Sequence, residues 1–210
     1  NLSRAGTQLK AMPSMADRYF SIQSLTQREV LQKLLCSGVY EESIAIDFCD
    51  YFNQGLEFSK LNQLVRSDLA YYLPGDILTK VDIATMANSL ELRSPMLDVN
   101  VVEWGISLPD KYKIKGFETK HILKDVARSL VPANLIDRPK MGFGIPRAEW
   151  LRTDMREILI DTLTDQTATE RGWFNQKEVK ETIDLHMSGT DKDQILWPML
   201  MLELWARNWL

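Results

Sequence analysis

Two prolines bracket the stretch that most restricts what this chain can fold into. From Tyr71 to Asp98 it reads YYLPGDILTKVDIATMANSLELRSPMLD. Leu61, Leu64, Val65, Leu69 and Tyr72 recur at three- and four-residue spacing, which predicts a one-sided helix. Pro74 removes a backbone donor and Gly75 adds freedom, so that helix is expected to end before them. Ile77, Leu78, Val81, Ala84 and Thr85 repeat the spacing and predict about four turns of a second helix. Asp76, Lys80, Asp82 and Glu91 are set along it, and Pro95 closes the stretch just beyond Arg93. Lys80 and Glu91 are separated by about three turns and share a face if the helix is continuous. Asn88 and Ser89 are placed to loosen its end.

At 210 residues the chain has room for one large domain or two small ones. Apolar residues at 45% and charged residues at 26% are ordinary for a soluble globular protein. A net charge of −4 argues against nucleic acid as the main partner. The charge is uneven, however. Between Lys111 and Arg147, nine Lys/Arg (111, 113, 115, 120, 124, 128, 138, 140 and 147) face only Glu118, Asp125 and Asp137. Such a run is either a solvated face or the field that holds a polyanion such as triphosphate. Two cysteines, Cys36 and Cys49, make no disulfide framework and point to a reducing, cytoplasmic setting. There is no signal pattern, and the most apolar run, Ile195 to Leu202, is too short to span a bilayer, so no membrane is expected. Because the chain starts at Asn1 rather than a methionine, a fragment or a processed product is the expectation.

The remaining periodicities are almost all helical. Thr26 and Glu29 fit a capping box before Val30, Leu31, Leu34 and Leu35. Helices are expected over Glu41–Phe52, Val101–Leu108, Thr119–Leu130 and Glu149–Leu163. Another is expected to start at Asn175-Gln176-Lys177-Glu178. A last helix opens at Asp193; its wide apolar band (Leu196, Trp197, Leu200, Met201, Leu204, Trp205) predicts extensive burial. Lys111–Gly116 suits a brief strand or hairpin, Thr164–Arg171 an exposed connection, and Ile136–Pro146, with two prolines and two glycines, a function-bearing loop. No alternating strands announce a complete nucleotide-binding sheet, so the fold is expected to be mainly α. Several familiar sites are missing. His121 and His186 lack metal-ligand spacing, so no metal site is expected, and there is neither a nucleophile elbow nor a glycine-rich phosphate motif.

The segment Leu90-Glu91-Leu92-Arg93-Ser94-Pro95-Met96-Leu97-Asp98, preceded by Lys80-Val81-Asp82, resembles the pattern L-E-x-R-x-P-x-L-D of the glutamine-hydrolysing asparagine synthetase family. Arg138-Pro139-Lys140-Met141-Gly142-Phe143 resembles that family's basic loop, and Lys120-His121-Ile122-Leu123-Lys124 its K-x-I-L-[KR] pattern. The likeness runs from about Leu61 to Trp150. It implies the helical carboxy-terminal portion of an α/β ATP-pyrophosphatase-type (adenine nucleotide α-hydrolase-like) synthetase domain, here occupying residues 1–210. The family's S-G-G-x-D-S ATP loop and its amino-terminal glutaminase are not in this sequence, so the chain alone is expected to be incomplete and inactive.

The resemblance also implies the chemistry. Aspartate, ATP and glutamine-derived ammonia give asparagine, AMP and pyrophosphate, with Mg²⁺ held mainly through ATP and residues outside this chain. Glu91 then falls at the aspartate/ATP site, where a carboxylate takes a proton from the attacking nitrogen or holds its cation. Lys140 sits in a loop able to close over phosphates and to stabilise the leaving pyrophosphate. Lys120, heading a helix, joins it at the phosphates. Lys80, Asp82, Arg93 and Asp98 read as ion pairs that fix the helix and turn and orient Glu91 without touching ligand. Taken alone, Glu91 reads first as a partner of Arg93 or a lysine near a helix end, and Lys140 as solvated. A homodimer is compatible with the resemblance. Two alternatives stay open: a related ligase that amidates another carboxylate or closes a lactam, and a non-catalytic helical interaction module.

Overall fold

The computed structural model describes residues 14–41, 43–138 and 144–210. The fold is mainly helical, and its sheet among the described residues is a single two-stranded hairpin. No helix among them is long and apolar enough to cross a membrane. The chain divides into two compact units. Of the described residues, one unit holds 20–41, 43–45 and 144–210, and the other holds 14–19 and 46–138.

The first unit has a conventional core. Helices Arg28–Leu34, Arg147–Arg152, Arg156–Thr164, Gln176–Met187 and Asp193–Trp209 supply Leu34, Leu151, Leu159, Leu163, Val179, Ile183, Leu196 and Leu200 to one apolar cluster. Asn175 opens Gln176–Met187 by accepting the Lys177 N–H at 3.1 Å, the cap its sequence predicts. Other expectations need correcting. The Arg28–Leu34 helix is entered through extended Gln27, so Thr26 is not its cap. The helix expected over Glu149–Leu163 is two, Arg147–Arg152 and Arg156–Thr164, parted where the Thr153 hydroxyl bonds back to the Glu149 carbonyl at 2.9 Å. The polar connection at Thr164–Arg171 contains a helix, Gln166–Arg171, capped by the Asp165 carboxylate on the Ala168 N–H at 2.9 Å. The last helix buries Leu196, Met199, Leu200, Glu203 and Ala206 on one face, while Leu202 and Trp205 stay exposed. Its apolar band is therefore wider than its contact.

Two ionisable groups are folded into this core. Glu203 is completely buried, and its carboxylate accepts from Arg171 Nε at 3.0 Å and Arg207 Nε at 3.1 Å. Arg207 also donates to the Thr162 carbonyl and to Asp165, both at 2.8 Å. The second is His186, also completely buried, with Nε2 3.1 Å from the Ala148 carbonyl and Nδ1 accepting the Lys192 N–H at 3.0 Å. It is a structural histidine rather than a ligand.

The second unit has a small aromatic cluster. Phe48 and Phe52 are buried, with ring centroids 6.3 and 6.2 Å from Tyr19, and Tyr71 packs tilted against Phe48 at 5.2 Å. Ser59 caps Lys60–Ser67 through the Asn62 N–H. The helical path does not stop at Pro74 as its sequence predicts. It continues through a π-helical stretch, Asp68–Leu78, into the α-helix Thr79–Met86. The wider i→i+5 turn separates the proline ring from the carbonyl it would strike in an α-helix, so Pro74 is accommodated. Its own carbonyl accepts the Thr79 hydroxyl at 2.7 Å.

Beyond Thr79–Met86 the second unit comprises helices Val99–Ser107, Asp110–Lys113, His121–Arg128 and Ala133–Ile136, and the hairpin of Ile114–Lys115 with Glu118–Thr119. The hairpin turns at Gly116-Phe117, where a φ of +61° at the first loop residue suits glycine. From Asp68 to Arg138 no residue is buried. In the helix expected over Thr119–Leu130, which the structure gives as His121–Arg128, the apolar Leu123 and Val126 accordingly lie exposed, as does Leu130 beyond its end.

Candidate functional site

Glu91 is not on a helix. Thr79–Met86 closes with a left-handed residue, Ser89 (φ +56°), across which Leu90 N–H reaches the Thr85 carbonyl and Ser89 N–H the Met86 carbonyl, both at 3.0 Å. This is the paired hydrogen-bond pattern that ends helices, usually with glycine at the left-handed position. Asn88 reinforces it by donating to the Ala84 carbonyl at 2.9 Å. The stretch from Leu90 to Ser94 follows as a non-helical segment, so Lys80 and Glu91 do not share one continuous helix.

On that segment Glu91 meets Arg93, whose Nε donates to Oε1 at 2.7 Å. Both side chains are well exposed, 68% for Glu91 and 87% for Arg93, so the pair contributes little stability and leaves the carboxylate open to a ligand. Lys80 pairs instead with Asp76 at 3.5 Å, and Asp82 sits in the first turn of its helix. Asp98 caps Val99–Ser107 by accepting the Asn100 N–H at 2.9 Å; its bonds to the Asn100 side chain and backbone hold its carboxyl below the ordinary range. Of the four residues expected to orient Glu91, the structure therefore brings only Arg93 to it. Lys140 lies outside the described residues.

Lys120 heads His121–Arg128 in the left-handed region, φ +58° and ψ +36°. Ser89 and Lys120 are the two non-glycine residues with positive φ among those described; Lys120 is itself a predicted site residue, and Ser89 lies two residues before Glu91. Ser89 is accounted for by its helix-ending bonds. For a lysine the conformation costs about 1–2 kcal/mol, the kind of strain that persists where surroundings or function require it.

The basic run is resolved into locked and free cations. Lys113 donates to Asn62 Oδ1 and, at 2.7 Å, to the Ile106 carbonyl. Burial pushes its ammonium pKa down. All three acids of the run converge on Arg128: it donates to Glu118, to Asp125 at 2.9 Å and to Asp137 at 2.8 Å. The Arg128 bond to Glu118, with one from His121, holds the Glu118 carboxyl down at about 2. Lys115, Lys120 and Arg138 have no ion-pair partner among the described residues. His121 lacks metal-ligand spacing in the sequence, yet it gathers two carboxylates, with Nδ1 2.6 Å from Glu118 and Nε2 3.4 Å from Asp125. Ligand atoms of Glu118, His121 and Asp125 lie within 4.8 Å of one another. Both ring nitrogens are already met by carboxylates that Arg128 shares, so the chemistry is that of an ion-pair knot.

Sequence reasoning passed over Arg128. Its spacing from Asp125, and that of Glu118 and Asp125 from His121, are three or four residues and legible in principle. Its bond to Asp137 is not, because Pro132 and a second short helix intervene.

The chain belongs to the asparagine synthase family, which it matches over residues 3–207. It is 30% identical over 192 residues to asparagine synthetase (glutamine-hydrolyzing) 1 of Bacillus subtilis (strain 168), covering 91% of this chain and 30% of that protein. It is 39% identical over 140 residues to a putative asparagine synthetase (glutamine-hydrolyzing) of Mycobacterium tuberculosis (strain ATCC 25618 / H37Rv), covering 66% of this chain and 21% of that one. The chain thus spans under a third of the length of these relatives. No solved structure matches it significantly.

Proposed function

We propose that these 210 residues form the carboxy-terminal part of the synthetase domain of an ATP-dependent amide ligase. The ligase activates the side-chain carboxylate of aspartate as an acyl-adenylate and transfers glutamine-derived ammonia to it. Asparagine, AMP and pyrophosphate are the products. The match over residues 3–207 carries this reading. The geometry supports it: an exposed acid stands on a non-helical segment, and strained Lys120 lacks an anionic partner among the described residues. Unpaired cations of this kind fit the phosphates of ATP, whose chemistry is to activate the carboxylate and leave as pyrophosphate. Mg²⁺ would accompany those phosphates through groups outside this chain.

In this reading Glu91 takes the proton of the attacking nitrogen or holds its cation, exchanging its exposed bond to Arg93 for the substrate. Lys120 and Lys140 hold the phosphates, and Lys140 lowers the barrier by meeting charge that grows on the leaving group. Asp98, as a helix cap, fixes the far end of the segment that carries Glu91. The setting is cytoplasmic, and glutamine hydrolysis belongs to a part of the full protein outside these residues.

The test is made in the full-length protein. Lys140→Ala should abolish amide formation while glutamine hydrolysis survives; equal loss of both would assign Lys140 to folding instead. Glu91→Gln should lower amide formation at least about a hundredfold, the scale of one acid–base group. An unchanged rate for Glu91→Gln would remove Glu91 from the chemistry.

A further inference from the structure

The basic run between Lys111 and Arg147 behaves differently from a simple charge count. Its three acids are scattered along the sequence: Glu118 on a strand of the hairpin, Asp125 inside a helix, and Asp137 after a second short helix. One guanidinium collects all of them. Glu118 lies two residues before Lys120, and Asp137 lies immediately before Arg138. Arg128 thus fastens the backbone leading into Lys120 to the backbone leading into Arg138. It also occupies carboxylates that would otherwise be available to those two cations. Lys124 approaches Glu118 only at 3.9 Å, and His121 holds the other oxygen of Glu118.

We propose that Arg128 is a positioning residue, which ties the Lys120 segment to the Arg138 segment and keeps the Glu118 carboxylate off Lys120, the cation read as facing phosphate. The proposal rests on reading Lys120 as a phosphate contact, and its two halves are measured separately. A planar guanidinium can engage several carboxylates at once through donors in fixed directions, whereas an ammonium is a single point charge. Lysine at this position is therefore a poor substitute.

The experiment compares, in the full-length protein, wild type, Arg128→Gln, Arg128→Lys and a charge-balanced variant carrying R128Q with E118Q. Three quantities are read: the Glu118 titration by carboxyl NMR, amide exchange over 118–125 and 133–138, and binding of inorganic pyrophosphate by calorimetry. Arg128→Gln should raise the Glu118 midpoint from about 2 toward the ordinary value, about 4.3. It should also speed exchange in both segments and weaken pyrophosphate binding about tenfold, since the released Glu118 carboxylate stands near Lys120. Arg128→Lys should recover only part of each. The charge-balanced variant should regain affinity while exchange stays fast, an outcome that a merely structural arginine would not give. Unchanged titration and exchange in Arg128→Gln would overturn the tether. Unchanged pyrophosphate affinity beside altered exchange would overturn the electrostatic half. If the full-length wild type binds no pyrophosphate, Lys120 loses its phosphate role and the electrostatic half falls with it, while titration and exchange still decide the tether.

Discussion

Residues 144–210 and residues 68–138 are of similar length and both mainly helical, yet they handle their apolar side chains in opposite ways. The first stretch buries Leu151, Leu159, Leu163, Val179, Leu196 and Leu200 completely. The second buries nothing, although it contains Leu90, Leu92, Met96, Leu97, Val99 and Trp104, all exposed. Every described residue proposed for the site lies in the second stretch. The region with a core carries no proposed site residue, and the region that carries them has no core. A surface so rich in apolar groups is unusual for a self-sufficient domain. Local stability follows buried contact, so the site-bearing stretch is held mainly by hydrogen bonds, caps and ion pairs that water can compete with.

The largest effect that tests this contrast is a pair of truncations. Leu200→Ala should lower the unfolding free energy by about 2–5 kcal/mol, because it empties a fully enclosed position. Leu90→Ala, at a side chain that is 61% exposed, should change it by no more than about 0.5 kcal/mol. Urea denaturation of both variants measures this, and a Leu90→Ala cost near that of Leu200→Ala would erase the distinction between the two regions. Next in size is the ionic part of the core. Glu203→Gln leaves Arg171 and Arg207 without their shared anion in a buried setting and should cost about 3 kcal/mol. An exposed pair offers the sharper contrast: Arg93→Gln should be within about 0.5 kcal/mol of wild type.

Legibility in the sequence followed the same division. Where side chains pack, as in Gln176–Met187, the apolar period and the asparagine cap located the helix correctly. Where breakers decided, the reading failed in both directions. Pro74 was expected to stop a helix and is carried by π-helical turns. Asn88 and Ser89 were expected only to loosen one and instead end it with specific bonds, taking Glu91 off the helix altogether. Among site residues, Glu91 with Arg93 was visible as a local pair. Arg128 was not, because it draws on strand, helix and loop together, and only the fold brings those segments to one guanidinium. The helix expected over Thr119–Leu130 is present as His121–Arg128, but an apolar period does not say whether anything covers it.

The smallest effect concerns pH and belongs to the core-bearing region. His186 donates from Nε2 to the Ala148 carbonyl and accepts at Nδ1 from the Lys192 N–H, so the bonded form is the neutral ring. Burial, and then the charge of Arg152, push its pKa down; the bond to Ala148 and the carboxylates of Asp191 and Asp193 oppose this without reversing it. In the unfolded chain the imidazole takes up its proton near the ordinary value, about 6.5. Below that pH the unfolded state binds more protons than the folded one, so stability must fall as pH falls. The contribution is complete above the unfolded value and is lost progressively until the folded ring is protonated in turn. Urea midpoints of the wild type should therefore decline between about pH 7.5 and pH 5 more steeply than those of His186→Gln, which has no ring to titrate. Parallel slopes for the two proteins would mean that the buried ring accepts its proton as readily as an exposed one, and that Lys192 N–H is not held by it.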